Sequence, residues 1–503
     1  LSYAAGAYYK LKQYSKANYY YSLVYQGCDE LKTTAHYSFH PQEESDWRGT
    51  LALCRNNDEK ATLWQMLGIF YSDPNRAIQE IYQLNPKSDK LDLLLSRAVN
   101  IAEQPGVDSA QQVLTRFVSR VAEARNTTKP WIWQQAAGYL NTLTHNYTAA
   151  AGWYAKADAT TPKSELPQAQ LRLLKLYNTI AGRRTIDNTF EQKILPELQW
   201  LYHLKLDIRR SCIGSINGKL ADLYTAAGDK AKAQCFTYNN PGFFANAANT
   251  GALKAFLSKP NPTPYEQLCY ERSEIKKEDI SEFQAIQYTM NDQIDEALAM
   301  IKEADSASKT ILRGNPFNAR IKDCHDCDHE APQKIKYSKA DLIKKLKELK
   351  DKIAAGQDVY TNAVLAGNAQ YNITQYGNAR VFYECKIYGS DHGEPYSIDS
   401  PYLAPLTSMK TAIKYYTLAL NAAKDNEQKA KCQYLLAKCQ RNEWYNKTIY
   451  SKNGDRIYDD TERNPAFIEW DGFKALKQYA NTKYYSEVLK ECGYFRTYTG
   501  SNH

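Results

Sequence analysis

No stretch of this 503-residue chain approaches the ~20 consecutive apolar residues that cross a bilayer, and its longest leucine run, Leu91 to Leu95, is interrupted by Asp92. No membrane span is expected. Histidine is scarce, with eight residues at 36, 40, 145, 203, 325, 329, 392 and 503. His36 and His40 would stand one turn apart on a helix, but no Glu completes an H-E-x-x-H arrangement, so both read as surface histidines in a loop. Also missing are the phosphate-binding G-x-x-x-x-G-K-[ST], the nucleophile elbow G-x-S-x-G and the dinucleotide-binding G-x-G-x-x-G. With no catalytic constellation, the expectation is a protein that is not an enzyme. Blocks of like charge are absent as well. The net charge of +8 comes from 64 basic and 56 acidic residues that interleave, which argues against nucleic acid as a partner. Eleven scattered cysteines, an odd number, do not make a secreted disulfide framework.

What is present is the composition of a chain that folds in water: 43% hydrophobic and 24% charged residues, with a mean hydropathy of -0.63. Tyrosine is abundant, with forty residues clustered at places such as Tyr19 to Tyr21, Tyr415 with Tyr416, and Tyr484 with Tyr485. Neighbouring tyrosines on a helix point in different directions, so one fills a core while the next keeps its hydroxyl wet.

A spacing recurs along the chain. It runs through Gly138, Tyr147, Ala150, Tyr154, Ala157 and Pro162, and again through Ala5, Tyr8, Tyr14, Ala17, Tyr21 and Val24. The same frame fits Ala221, Tyr224 and Ala233 with Gly228 in the turn, then Ala285, Tyr288, Ile294, Ala297, Ile301 and Ala304. A looser copy uses Leu476, Tyr479, Tyr485, Val488 and Cys492. Small residues where helices cross let backbones approach, and aromatics fill the space beside the crossing. These residues resemble the tetratricopeptide repeat, a helical hairpin that stacks on copies of itself. The resemblance implies an all-α, TPR-like helical-hairpin superhelix (an α-solenoid) that binds another protein. Its key alanines, Ala17, Ala150, Ala233 and Ala297, are separated by 133, 83 and 64 residues. No fixed ~34-residue period survives, so irregular repeats and long loop insertions are expected.

Between these copies, helical periodicity covers 62–70, 76–84, 90–102, 110–124, 166–180 and 190–206. Composition breaks fall at 239–264 and 314–336. The second divides the chain into a TPR-like array over 1–313, a Cys/His/Asp-rich connector over 314–336 and a second TPR-like array over 337–503. Ser338, with Asp341 three residues on, predicts a capping box for a helix running to about residue 355. The segment 365–371 reads as a first helix whose partner, 409–423, arrives only after an insertion at 385–405 of loop composition. A further insertion at 445–471 carries the turn signal Asn453-Gly454, which fits a small β-hairpin or an irregular connection equally.

The densest set of ligand atoms is Cys324, His325, Cys327 and His329 among Asp323, Asp326, Asp328 and Glu330. A structural zinc ion on the two thiols and a histidine, with Cys385 or His392 as a distant ligand, is one reading. A local disulfide and a metal-free loop are the others. Calcium lacks the glycine and distal glutamate of its usual loop. Tyr388, Asp391, His392, Glu394 and Tyr396 form the candidate partner-binding or carbohydrate-binding set on the insertion. The sequons at Asn126, Asn146, Asn372 and Asn446 are short enough to arise by chance.

The strings Asn315-Pro316-Phe317, the Cys324–His329 run, Gly367-Asn368-Ala369 and Tyr376-Gly377-Asn378-Ala379-Arg380 look like uncharacterised repeat proteins of Bacteroidota. That resemblance implies a place in the cell envelope, periplasmic or outer-membrane-associated, with the cytoplasm as the alternative. The chain starts at Leu1 without a basic segment or cleavage pattern, so membrane association through a partner or a removed lipidated N-terminus is left open. The expectation is a noncatalytic scaffold in a multi-subunit assembly. The alternative is a carbohydrate- or peptide-binding module, less readily an enzyme, with its site in the 385–405 insertion.

Overall fold

A computed structural model describes residues 1–70, 73–104, 106, 108–238, 240–321, 334–389, 398–448 and 470–500. Among them the chain is all-α and built of helices packed in consecutive pairs. No strand forms there. Only isolated bridges occur, Ile311 with Ser338 and Cys385 with Gly389. No described helix is long and apolar enough to cross a membrane. The chain divides into two compact units, Leu1–Ala227 and Gly228–His503.

The first unit opens with α1 (Ser2–Lys10), α2 (Tyr14–Gly27), α3 (Asp29–Ser38) and α4 (Glu44–Ala52). Three pairs follow: α5 (Asn57–Phe70) with α6 (Pro74–Leu84), α7 (Lys90–Ala102) with α8 (Asp108–Ala124), and α9 (Pro130–Leu143) with α10 (Tyr147–Thr160). Then come α11 (Glu165–Ala181), α12 (Asn188–His203) and α13 (Ile208–Ala226). Beyond these pairs, the first helices stack on one another, α5 on α7, α7 on α9, α9 on α11 and α11 on α13.

The second unit contains α14 (Lys230–Cys235), α15 (Pro241–Phe244), α16 (Ala247–Leu257) and α17 (Pro264–Arg272). It continues through α18 (Lys277–Met290), α19 (Ile294–Glu303), α20 (Asp305–Ser308), α21 (Lys339–Ala354) and α22 (Val359–Asn372). It ends with α23 (Ser400–Thr407), α24 (Lys410–Ala422), α25 (Asn426–Thr448), α26 (Asp471–Leu476), α27 (Lys483–Glu491) and α28 (Gly493–Thr499).

Three hairpins share one frame. Ala5, Gly138 and Ala285 on the first helix lie 16 residues before Tyr21, Tyr154 and Ile301 on the second, and Ala17, Ala150 and Ala297 between them are wholly buried. At the α9–α10 crossing a Cβ on Gly138 would sit 2.7 Å from Cδ1 of Tyr154, so only glycine lets that ring lie against the helix backbone. Each turn is closed in the same way. Lys12, His145 and Asp292 take left-handed φ values of 58°, 62° and 62°, seven residues after the small residue. The next amide then bonds back over the helix end, Gln13 N to Tyr8 O (2.9 Å), Asn146 N to Asn141 O (2.7 Å) and Gln293 N to Tyr288 O (2.8 Å). This is the Schellman closure, which satisfies carbonyls the helix end leaves free.

The expected helices are present with small shifts of their ends, and Ser338 and Asp341 make the capping box that starts α21. The composition break at 239–264 falls on helix starts, because its Asn and Pro residues begin helices: Asn240 and Asn246 cap α15 and α16, and Thr263 with Glu266 boxes α17 behind Pro264. Two local expectations need correction. The 385–405 insertion is not all loop, since α23 begins at Ser400. His36 is not in a loop either; it sits on α3 with its ring stacked 6.4 Å from that of Tyr25.

Candidate protein-binding groove

The first helices α7, α9, α11 and α13 contribute to one groove of about 370 Å³ in the first unit. Its floor is apolar because each helix turns its buried stripe inward: Leu95, Ala136, Leu173 and Ile216 are buried there. Ser96, Asn100, Gln170 and Ser215 on the rim are exposed. Tyr139 of α9 and Tyr177 of α11 hold their rings 6.1 Å apart at 51°. Burial, reinforced by Glu103, pushes the Tyr139 phenol well above its ordinary range, and burial with the neighbouring Tyr147 raises that of Tyr177, so both remain protonated donors near neutrality.

Gln135 gives the floor a polar point. Its Nε2 donates to Thr161 Oγ1 at 3.1 Å, and that hydroxyl donates in turn to Ala157 O at 2.7 Å. Thr161 therefore has no proton left to give back, which fixes the amide's orientation. Gln135 Oε1 is left buried without a hydrogen-bond partner, on a residue only 1% exposed.

A larger cleft of about 780 Å³ lies between α11 and α12. Four of the six charged side chains that line it pair with one another. Arg172 binds Glu197 through Nε (2.7 Å) and Nη2 (3.2 Å) and stacks 4.2 Å over Trp200, while Lys175 pairs with Asp158 at 2.5 Å. With those four neutralised, Glu165 and Lys193, one of each sign, are what the cleft has left for a ligand, so size alone does not make it the better site.

In the second unit the structure brings together three strings that sequence reading had linked only by resemblance. Asn368 Nδ2 on α22 donates to Phe317 O (2.7 Å), and Asn372 Nδ2 donates to Pro316 O (3.0 Å) and Asn318 O (2.7 Å). Asn378 N returns to Asn372 Oδ1 at 3.5 Å. The three asparagines are buried, so this is a structural knot in which side-chain amides satisfy backbone carbonyls that no regular element serves. Asn372 is thereby sequestered as a sequon.

Tyr388 is 2% exposed, with its ring 4.7 Å from Phe283 and 4.8 Å from Tyr402. It pins the start of the insertion to α18 and α23. Nearby, Lys339 is buried and pairs with Glu282 at 2.5 Å. Cys385 accepts a bond from Tyr388 N at 3.3 Å, and burial pushes its thiol up to about 12. Lys386 and Ile387 border a cleft of about 420 Å³ with Gln234, Thr237 and Ser273.

Cys324, His325, Cys327 and His329, like Asp391, His392, Glu394, Tyr396 and the Asn453-Gly454 turn, lie outside the described residues. Among the described residues no three His, Cys, Asp or Glu side chains gather as a metal site. Sequence reading missed the groove, and its only advance signal was the apolar periodicity of α7, α9 and α11. Comparison with protein-family models, curated proteins and solved structures finds no match to this chain.

Proposed function

We propose that the chain is a noncatalytic, tetratricopeptide-like scaffold that holds an extended segment of another protein in the α7–α9–α11–α13 groove, as a subunit of a multi-subunit assembly of the cell envelope. The observation that carries this reading is the groove's construction: successive first helices lay an apolar floor and an amide- and hydroxyl-bearing rim side by side. Such a surface suits a chain that offers apolar side chains and backbone amides together. The envelope placement draws on the sequence resemblance alone, and cell fractionation checks it, with the cytoplasm as the competing result.

The test is site-specific photo-crosslinking in source cells. A photoreactive side chain at Gln170 or Ser215 on the rim is expected to capture one protein, whereas one at Lys193 in the α11–α12 cleft should not. Equal capture at all three positions, or none at any, would remove the groove as the partner site. The Lys386–Ile387 cleft favours a second reading, a carbohydrate- or peptide-binding module at the insertion. Calorimetric titration with oligosaccharides, giving heat that Lys386→Ala abolishes, would promote it over the first.

A further inference from the structure

The cleft of about 420 Å³ in the second unit sits where α14 and α17 end, with Lys386 and Ile387 closing one side and the buried Phe244 and Ile387 supplying its apolar surface. Gln234 on α14 lines it and is only 6% exposed. Among the described residues nothing hydrogen-bonds its side-chain amide, yet neither amide atom is sealed from solvent. The cleft is where they surface, so Oε1 and Nε2 stand side by side as one acceptor and one donor held by water that a ligand can replace.

Around that amide the spare capacity is mostly for accepting. Thr237 Oγ1 spends its proton on Ala233 O at 3.0 Å and keeps its lone pairs. The exposed Glu274 carboxylate has no bonding partner among the described residues. Lys386 donates to Glu274 O and lies 3.5 Å from Asp279 Oδ2, which occupies it within the protein. Glu274 and Lys386 carry the formal charges of the lining, one of each sign, so the cleft has no net charge with which to select an ion. On the rim Tyr238 is 78% exposed and no described aromatic ring or cation covers it. Its ring is a flat apolar surface with a polar tip.

Resting on the second reading above, that this cleft binds a carbohydrate or a peptide, we infer that its ligand is an uncharged saccharide. A pyranose lays its C–H face on the Tyr238 ring while two adjacent hydroxyls meet Gln234, one donating to Oε1 and the other accepting from Nε2. Further hydroxyls donate to Thr237 Oγ1 and to Glu274. A peptide backbone brings a carbonyl for each N–H and would leave the accepting groups partly unanswered, whereas every saccharide hydroxyl can donate.

The experiment applies the purified full chain to arrays of neutral gluco-, manno- and galacto-oligosaccharides, galacturonan oligosaccharides and mixed-sequence 12-residue peptides. Binding to at least one neutral series is expected, with little dependence on salt. Tyr238→Ala, at an exposed position, should weaken it by about 10-fold while Tyr238→Trp retains it. Gln234→Leu should also cost about 10-fold, with an unchanged urea midpoint checking that each variant folds. Neutral-saccharide binding that either Tyr238→Ala or Gln234→Leu leaves unchanged overturns the inference. Binding of galacturonan or peptides alone overturns it as well, and loss of that binding in Lys386→Ala then keeps the cleft as a site. No binding on any array overturns both the inference and the reading beneath it.

Discussion

The α9–α10 crossing is where the frame is tightest, and Gly138→Ala tests whether small residues set helix separation in this chain. In an isolated helix the change would favour folding by roughly 1 kcal/mol, because alanine is the better helix former. Here the new methyl would stand 2.7 Å from Tyr154 Cδ1, well inside van der Waals contact, and Tyr154 is 1% exposed. The ring cannot simply swing aside. Its hydroxyl shares a 3.2 Å hydrogen bond with Thr142 Oγ1, which also bonds Asn178 Oδ1 at 2.9 Å, while Asn178 Nδ2 reaches Tyr147 O at 3.2 Å. Overpacking of this kind costs about 1–3 kcal/mol, and loss of one buried hydrogen bond adds about 1 kcal/mol. The propensity gain is outweighed, and a net loss of about 1–3 kcal/mol is expected. Gly152→Ala is the control: on α10 its Cβ would meet nothing within 4 Å, so a gain of roughly 1 kcal/mol is expected. Urea unfolding compares the two variants, and hydrogen exchange localises the loss to α9–α11, since stacked hairpins open locally. Adding Tyr154→Leu to Gly138→Ala should recover part of the loss. If Gly138→Ala stabilises as much as Gly152→Ala does, the crossing argument is refuted.

Lys12→Gly relieves a side chain held at φ 58° and should stabilise the first hairpin by about 0.5–1 kcal/mol in the same urea assay; no gain would mean the turn is not strained. Asp292, 9% exposed, is raised by burial but lowered further by bonds from Lys414, Tyr415 and Lys350, so its carboxyl sits below the usual range. Its contribution is therefore fully present above the unfolded carboxyl value of about 4 and is lost as pH falls through the folded value. Asp292→Asn, which keeps a residue tolerant of the left-handed turn, should cost about 1–3 kcal/mol at pH 7 and flatten acid unfolding of the second unit below about pH 4; an unchanged acid profile would count against the carboxylate as its anchor. A zinc ion held by Cys324, Cys327, His325 and His329 remains a proposal, and elemental analysis should find one equivalent that Cys324→Ser removes. Protein without stoichiometric metal retires it.

Much of the fold was legible because its signal is periodic. Ala5, Gly138 and Ala285 announce the crossings, and the residues 16 positions on announce what fills them. The turns were less legible, since Lys12, His145 and Asp292 are not the glycine that a left-handed position favours; within this repeat frame Gly228, with φ 80°, is the one that advertised it. Asn and Pro near residue 240 left the helices there unread for a different reason, being punctuation that starts helices as readily as it ends them. The groove was least legible. Leu95, Gln135, Tyr139 and Leu173 come from three helices and meet only once the first helices stack, and Gln135 differs from any core glutamine only in the partner its oxygen lacks.

The pair α22 and α24 explains why an irregular array can still keep one packing rule. Gly367 and Tyr416 repeat the Gly138–Tyr154 crossing, with a Cβ on Gly367 placed 2.6 Å from Tyr416 Cδ1, and Ala412 and Ala419 are buried like Ala150 and Ala157. Yet the two partners lie 49 residues apart instead of 16, so 33 residues have been inserted at the turn. Loop-closure entropy grows only with the logarithm of length, which leaves the crossing able to form, but a loose insertion would contribute nothing to holding it. This one is anchored at both ends. The amide knot of Asn368, Asn372 and Asn378 fixes its beginning, Tyr376 donates to Asn446 Oδ1 at 2.6 Å, and Tyr388 and Tyr402 pack its later part against Phe283. The strings that look like a family signature around Gly367 and Gly377 are thus accounted for by the structure they stabilise, and they need no ligand to explain them.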